Sequence, residues 1–153
     1  MHRVVASKIY AMDKIKVLFL CIHNSARSQM AEAYLKKFGG DRFEVESAGL
    51  EKGTLNPLAV EVMKEDGIDI SQNKTKEVFD FVKEGKSFYY VVTVCDAKNS
   101  DKCPVFAGMH KKIHWDFEDP SALTGSYEEK LERTRVVRDE IKEAVRRFVA
   151  EIR

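Results

Sequence analysis

Val17-Leu18-Phe19-Leu20-Cys21-Ile22-His23-Asn24-Ser25-Ala26-Arg27-Ser28 is the stretch around which the rest of the chain is ordered. The apolar run from Ile15 to Leu20 reads as a strand, and the segment from Gln29 to Phe38 as a helix. Between them lie a cysteine, a tight polar loop and an arginine. A loop of this kind that opens a helix gathers backbone N–H groups and the positive end of the helix dipole at one spot, which makes an oxyanion site. Arg27 adds a planar, bidentate donor suited to a tetrahedral oxyanion. Cys21 at the floor of the loop would be favoured as a thiolate by the same donors. The residues from Ile22 through His23, Asn24, Ser25, Ala26 and Arg27 to Ser28 are therefore the expected oxyanion-binding loop, with Cys21 as its nucleophile.

A lone cysteine at the end of a buried strand is ordinarily a small core residue. The spacing sets this one apart: Cys, five residues, Arg, then Ser at a strand-to-helix junction. Ser28 can donate to the thiolate or cap the helix. Asn24 and Ser25 tolerate the backbone angles of a loop that folds its amides inward.

The 153 residues fit one domain with a proper core, and 44% apolar with 33% charged residues is ordinary globular composition. A formal net charge of +1 gives no global attraction to nucleic acid or membrane, so any anion affinity is local. No apolar run approaches a membrane span, and Met1 to Lys16 lacks the core of a signal peptide. The expected organisation is an N-terminal tail over 1–13, with Met12 as an alternative start, and one domain over 14–153. Three cysteines, an odd number, argue against a disulfide framework and for free or redox-active thiols, as in a cytoplasmic protein. The four histidines, His2, His23, His110 and His114, do not group with the cysteines in a metal-ligand pattern.

Lys14–Leu20 reads as a first strand buried on both faces, and Ser28–Gly39 as a helix ended by Gly39 and Gly40. Arg42–Ala48 alternates like an edge strand with one wet face. Asn56 and Pro57 start a second helix that Gly67 stops. A third helix is expected over about Thr75–Glu84. Phe88–Cys95 is the strongest strand signal, and Lys112–Trp115 looks like the last strand. Ser126 caps a long final helix from Tyr127 to near Arg153, whose exposed face mixes acids with bases and reads as solvated. The order β-α-β-α-α-β-β-α implies an α/β, three-layer fold: a four-stranded, mainly parallel sheet with helices on both faces. Ligands of such sheets sit beyond the carboxyl ends of the strands, and Cys21 and Cys95 both fall there.

The run from Val17 to Glu32 resembles the start of arsenate reductases built on the low-molecular-weight tyrosine phosphatase fold, specifically their thioredoxin-coupled branch. Ser47-Ala48-Gly49, Asn56-Pro57, Val91–Cys95, Cys103-Pro104, His114-Trp115, Asp119-Pro120 and Arg138-Asp139-Glu140-Ile141 match that family in order. The loop marks the superfamily; Cys95 and Cys103 select the reductase branch.

The resemblance implies arsenate reduction, and hence arsenic resistance, by a three-thiol relay. Cys21 attacks arsenic, Cys95 attacks Cys21 and releases arsenite, and Cys103 attacks Cys95. Thioredoxin then reduces the Cys95–Cys103 disulfide, drawing on NADPH indirectly, with no tightly bound cofactor. Arg27 holds the oxyanion, for which phosphate and sulfate compete, and Asp119 is the general acid. Asp-Pro also initiates turns, and Asp116 and Glu118 are competing carboxylates. Asn24, Glu32 and Ser47 resemble residues that bind a monovalent cation in some relatives; loop-bracing hydrogen bonds are the other reading of them. His23 stands where phosphatase relatives usually have glycine, and is expected to face solvent. Ala26 stands where many relatives carry another cysteine.

The loop alone also fits a phosphatase acting on phosphotyrosine or a small phosphate ester, since phosphate and arsenate are near-isosteric. Phosphatases of this fold usually carry aromatic residues after Asp-Pro, whereas Ser121 and Ala122 follow here. A further alternative is a non-catalytic oxyanion or redox sensor. Glutaredoxin is the alternative reductant, though an internal resolving pair points to thioredoxin.

Overall fold

The structure is a computed structural model that describes residues 13–94 and 111–152. Its centre is strand β1 (Ile15–Cys21). Val17, Phe19 and Cys21 face one core cluster, and Leu18 and Leu20 face another. A strand covered on both sides explains the unbroken apolar run, and each large side chain so buried contributes about 1.5–3 kcal/mol of transfer free energy. Strands β2 (Phe43–Gly49), β3 (Tyr90–Thr93) and β4 (Lys111–His114) complete a four-stranded sheet of order β2-β1-β3-β4. All pairings are parallel, with Leu20 opposite Ala48 on one side and Thr93 on the other.

Helix α1 (Arg27–Gly39) puts Met30, Ala31, Tyr34 and Leu35 into the first cluster. It shares that face of the sheet with α2 (Pro57–Glu65) and the long α4 (Tyr127–Glu151). The other face is covered by the short α3 (Val78–Lys83), through Val78 and Phe81. The α/β fold with helices on both faces is therefore as the element order implied. Helix ends follow local chemistry. Asn56 accepts from the Leu58 N–H and Pro57 occupies the first turn of α2. Ser126 and Glu129 form a reciprocal capping box on α4. Gly40, at φ 55°, turns the chain out of α1.

Two expectations need correction. The third helix begins at Val78 rather than Thr75, because Lys76 and Glu77 are held extended against β2. The Gly49 N–H donates to the Lys76 carbonyl at 2.7 Å, and Gly49 bridges Glu77. The third strand is regular over Tyr90–Thr93, shorter at its start than expected, with backbone hydrogen bonds continuing at Tyr89 and Val94, while the Phe88 ring packs with Val78 and Phe81 in the second cluster. Cys95, Cys103 and His110 lie outside the described residues. No helix among the described residues is long and apolar enough to cross a membrane.

Three helices are tied together at their polar edge. The Tyr34 hydroxyl of α1 donates to Asp66 at 2.7 Å, just past α2, and Lys142 of α4 reaches the same carboxylate at 2.9 Å. Arg135 and Arg138 of α4 bond Glu65. The Lys142 hydrogen bond, then that of Tyr34, holds Asp66 below the usual carboxylate range. Burial pushes the Tyr34 phenol above its usual range.

A carboxylate depressed in the folded state contributes stability that is fully present above its unfolded pKa of about 4 and is lost as pH falls through the lower folded value. Thermal midpoints of the wild type and Asp66→Asn should thus be furthest apart near neutral pH and converge in acid. An equal gap at pH 7 and pH 3 would contradict this role.

Candidate active site

The carboxyl end of β1 delivers Cys21 into the core, 2% exposed, and the chain then turns through Ile22–Ala26 into α1. The loop is fixed from outside by its carbonyls. Those of Cys21, Ile22 and Ser25 accept from the N–H groups of Leu50 (3.0 Å), Glu51 (2.8 Å) and Asn56 (2.9 Å). The first N–H groups of any helix have no intrahelical acceptor, and those of α1 receive no side-chain cap. An oxyanion is the group that suits such a helix start.

Asn24 sits at the turn of the loop with φ 56°, the left-handed conformation its residue type tolerates. Its backbone N–H donates to Cys21 Sγ at 3.1 Å. Ser28 Oγ lies 2.9 Å from the same sulfur, so the serine serves the thiol and does not cap the helix. Both contacts are of the kind that solvate a sulfur anion. Asn24 Nδ2 donates to Ser28 Oγ (2.8 Å) and to Ser47 Oγ (3.0 Å), and Ser47 donates to Glu32. Asn24, Glu32 and Ser47 are thus brought together, as a chain of hydrogen bonds leading to the thiol.

Arg27 is 3% exposed. Its guanidinium donates to the Phe117 carbonyl at 3.1 Å and lies 3.4 Å from an Asp119 carboxylate oxygen. Of the competing carboxylates, Glu118 is turned away to Arg133 at 2.6 Å, and Asp116 is exposed. Asp119 also accepts from the Ser121 N–H at 2.9 Å, so it starts a turn as well as facing the site. Ser121 Oγ, which accepts from Asn56 Nδ2 (2.9 Å) and lies 3.4 Å from Ser25 Oγ, ties that turn to the loop. His23 faces solvent at the rim, 3.4 Å from Glu51. Trp115 packs among Phe19, Phe117 and Phe148, and His114 Nδ1 lies 2.6 Å from Thr93 Oγ1. Among the described residues no His, Cys, Asp or Glu cluster forms a metal-binding group.

Sequence reasoning missed three residues. Gln29 is fully buried and donates through Nε2 to the backbone and side-chain oxygens of Asn24 and to the Lys74 carbonyl. Its signal was a polar residue inside the helix's motif, read there as part of a match and not as a brace. Gly49 crosses the loop so closely that a Cβ would fall 2.7 Å from the Asn24 nitrogen. Lys76, from the stretch read as helix, brings its N–H to Asn24 Oδ1 at 3.0 Å and its ammonium to Glu32 at 3.5 Å.

The chain matches the family model "Low molecular weight phosphotyrosine protein phosphatase" over residues 16–153. It is 44% identical to the arsenate reductase of Bacillus licheniformis, over 90% of this chain and 96% of that protein. Among solved structures it resembles an arsenate reductase in the phosphate binding state, with TM-score 0.73 and 33% identity over 91% of this chain and 99% of the other. It also resembles a thioredoxin-dependent arsenate reductase of Corynebacterium glutamicum, with TM-score 0.61 and 30% identity over 95% of this chain and 68% of the other. With the Cys21 thiol buried in an arginine-bearing loop at the end of a parallel strand, the chain belongs to the low molecular weight phosphotyrosine protein phosphatase family, on its arsenate reductase branch.

Proposed function

We propose that the protein is a cytoplasmic, thioredoxin-coupled arsenate reductase that works through Cys21, Cys95 and Cys103. The observation that carries this reading is the Cys21 sulfur at the floor of a donor-lined loop beside buried Arg27, in a chain whose full-length relatives are arsenate reductases.

The loop N–H groups and Arg27 bind arsenate and stabilise charge as it develops. The Cys21 thiolate attacks arsenic, and an oxygen departs as water with a proton from Asp119. Cys95 attacks the Cys21 sulfur, the sulfur–arsenic bond breaks, and its electron pair stays on arsenic. Arsenic is reduced by two electrons as two thiols become one disulfide: arsenic acid and two thiols give arsenous acid, a disulfide and water. Cys103 then displaces Cys21 from Cys95, and thioredoxin reduces the Cys95–Cys103 bond. NADPH enters only through thioredoxin.

Support for the second thiol's reach comes from β3. Disulfide partners need Cα atoms within about 7 Å. The Val94 N–H donates to the Leu20 carbonyl at 2.8 Å, so the residue just before Cys95 lies against the residue just before Cys21. Phosphate and sulfate share the shape of arsenate and are expected to compete for the loop.

Purified protein with arsenate, thioredoxin, thioredoxin reductase and NADPH should consume NADPH in proportion to arsenate, with p-nitrophenyl phosphate hydrolysis as the parallel assay. Cys21→Ser abolishes both activities. Cys103→Ser allows at most one arsenate turnover and spares any ester hydrolysis. Brisk hydrolysis without arsenate-dependent NADPH loss would leave a phosphatase, and silence in both assays a binding or sensor protein.

The carboxylate assignment has its own check. Asp119→Asn should lower the single-turnover rate of Cys21 arsenylation by roughly 10²-fold or more. Asp116→Asn and Glu118→Gln should stay within a few-fold of wild type. Loss at Glu118 in place of Asp119 would reverse the assignment.

A further inference from the structure

Glu32 is an acid inside the site. It is 7% exposed, and its Oε1 accepts the Ser47 hydroxyl that in turn accepts from Asn24. An anion buried so deeply needs a cation. A free alkali-metal ion there would need several unspent oxygens. Asn24, Ser47 and Glu32 do not offer them. Both lone pairs of Asn24 Oδ1 are taken, by Gln29 Nε2 at 3.0 Å and the Lys76 N–H at 3.0 Å. Ser47 spends its proton on Glu32 and accepts from Asn24. Glu32 itself is met by two ammonium groups, Lys76 at Oε1 (3.5 Å) and Lys36 at Oε2. An added cation would face both. Asn24, Glu32 and Ser47, for which the family resemblance implies a monovalent cation, therefore do not fit one here.

We propose that Lys76 is a tethered cation: its ammonium takes the place of a monovalent ion at Glu32 and thereby holds the Ser47–Asn24–Ser28 hydrogen bonds that position the Cys21 sulfur. Two features single it out from Lys36. Lys36 is the exposed i,i+4 partner on the same helix, a type of pair that contributes little and is screened by salt. Lys76 comes from another part of the fold, is only 35% exposed, and is anchored at its own backbone on both sides. Its N–H holds Asn24 and its carbonyl holds Gly49. One residue thus fixes the loop's turn, the strand end that covers it, and the charge of the acid behind it. With Lys36 alone, Glu32 would carry a less compensated charge, and its pull on Ser47 would be felt along the chain to Ser28. Lys76 is a positioning residue; it reaches the sulfur through others. The inference rests on the proposed function only in taking Cys21 as the reacting group.

The test reads Cys21 directly and needs no arsenate turnover, so a failed arsenate assay leaves it intact. Reduced full-length protein is treated with iodoacetamide at pH 7, in potassium chloride or in choline chloride of equal ionic strength. Alkylation of the Cys21 peptide is followed by mass spectrometry, and thermal midpoints are taken in both salts. The wild type should show the same rate and midpoint in both. Lys76→Ala should slow Cys21 alkylation by about threefold or more, and Lys76→Arg, which keeps the charge, should restore the rate. The proposal is overturned by a saturable effect of potassium on the wild type, by a wild-type rate in Lys76→Ala, or by Lys76→Arg being as slow as Lys76→Ala. The potassium comparison needs no variant, so it decides even if Lys76→Ala fails to fold.

Discussion

Asn24 is the residue on which the site's geometry hangs. It is fully buried in a left-handed conformation, and a side-chain amide in that position must find partners for two N–H donors and a carbonyl oxygen. It finds all of them. The donors go to Ser28 and Ser47, and the oxygen accepts from Gln29 and Lys76. Its backbone N–H is left for the Cys21 sulfur. Because every capacity is spent, the Asn24 side chain locks the turn of the loop to its surroundings. Donors fixed in advance need no reorganisation at the moment of reaction, which is where their electrostatic value lies. Gly49 belongs to the same constraint. The strand crosses so near the loop that a side chain there would collide with Asn24 and His23.

The parallel sheet sets what can reach this loop. The register of β1 with β2 and β3 brings Ser47 alongside Phe19 and Thr93 alongside Leu20, so neighbouring strands end at one rim. Side-chain alternation then decides roles. On β2, Phe43, Val45 and Ser47 are buried while Glu44 is exposed and Glu46 half-buried. The face that packs apolar residues lower down thus carries a hydroxyl at its upper end, where Glu32 of α1 waits for it. A one-residue slip would turn that hydroxyl away. The site is a property of the register as much as of the motif.

How much of this could be read from the chain itself depended on range. The apolar run of β1, the proline and asparagine that start α2 and the serine that caps α4 are local signals, and each element lies within a residue or two of its expected place. The pairing of Cys21 with Ser28 was legible for the same reason, since a strand-to-helix turn closes seven residues into contact. What failed was long-range. Thr75 to Glu77 have nothing against helix in their own composition, but Gly49 and Asn24 offer this backbone partners that a helix would forfeit. Tertiary hydrogen bonds overrode a weak preference. Gln29 is a polar helical residue, and only the fold shows that it faces inward. The tie between Lys76 and Glu32 has no periodicity to betray it. The family pattern did carry long-range contacts, that of Ser47 with Asn24 and Glu32 and that of Arg27 with Asp119.

That contact bears on how a buried guanidinium can wait for its substrate. Arg27 is nearly inaccessible, and an uncompensated charge at that depth is expensive. Asp119, with the Phe117 carbonyl, compensates it. The turn from Asp119 to Ser121, pinned to the loop through Asn56 and Ser25, holds that carboxylate beside the guanidinium. The charge balance of Arg27 is thus set by a segment ninety residues away in sequence, and the loop cannot be understood without it.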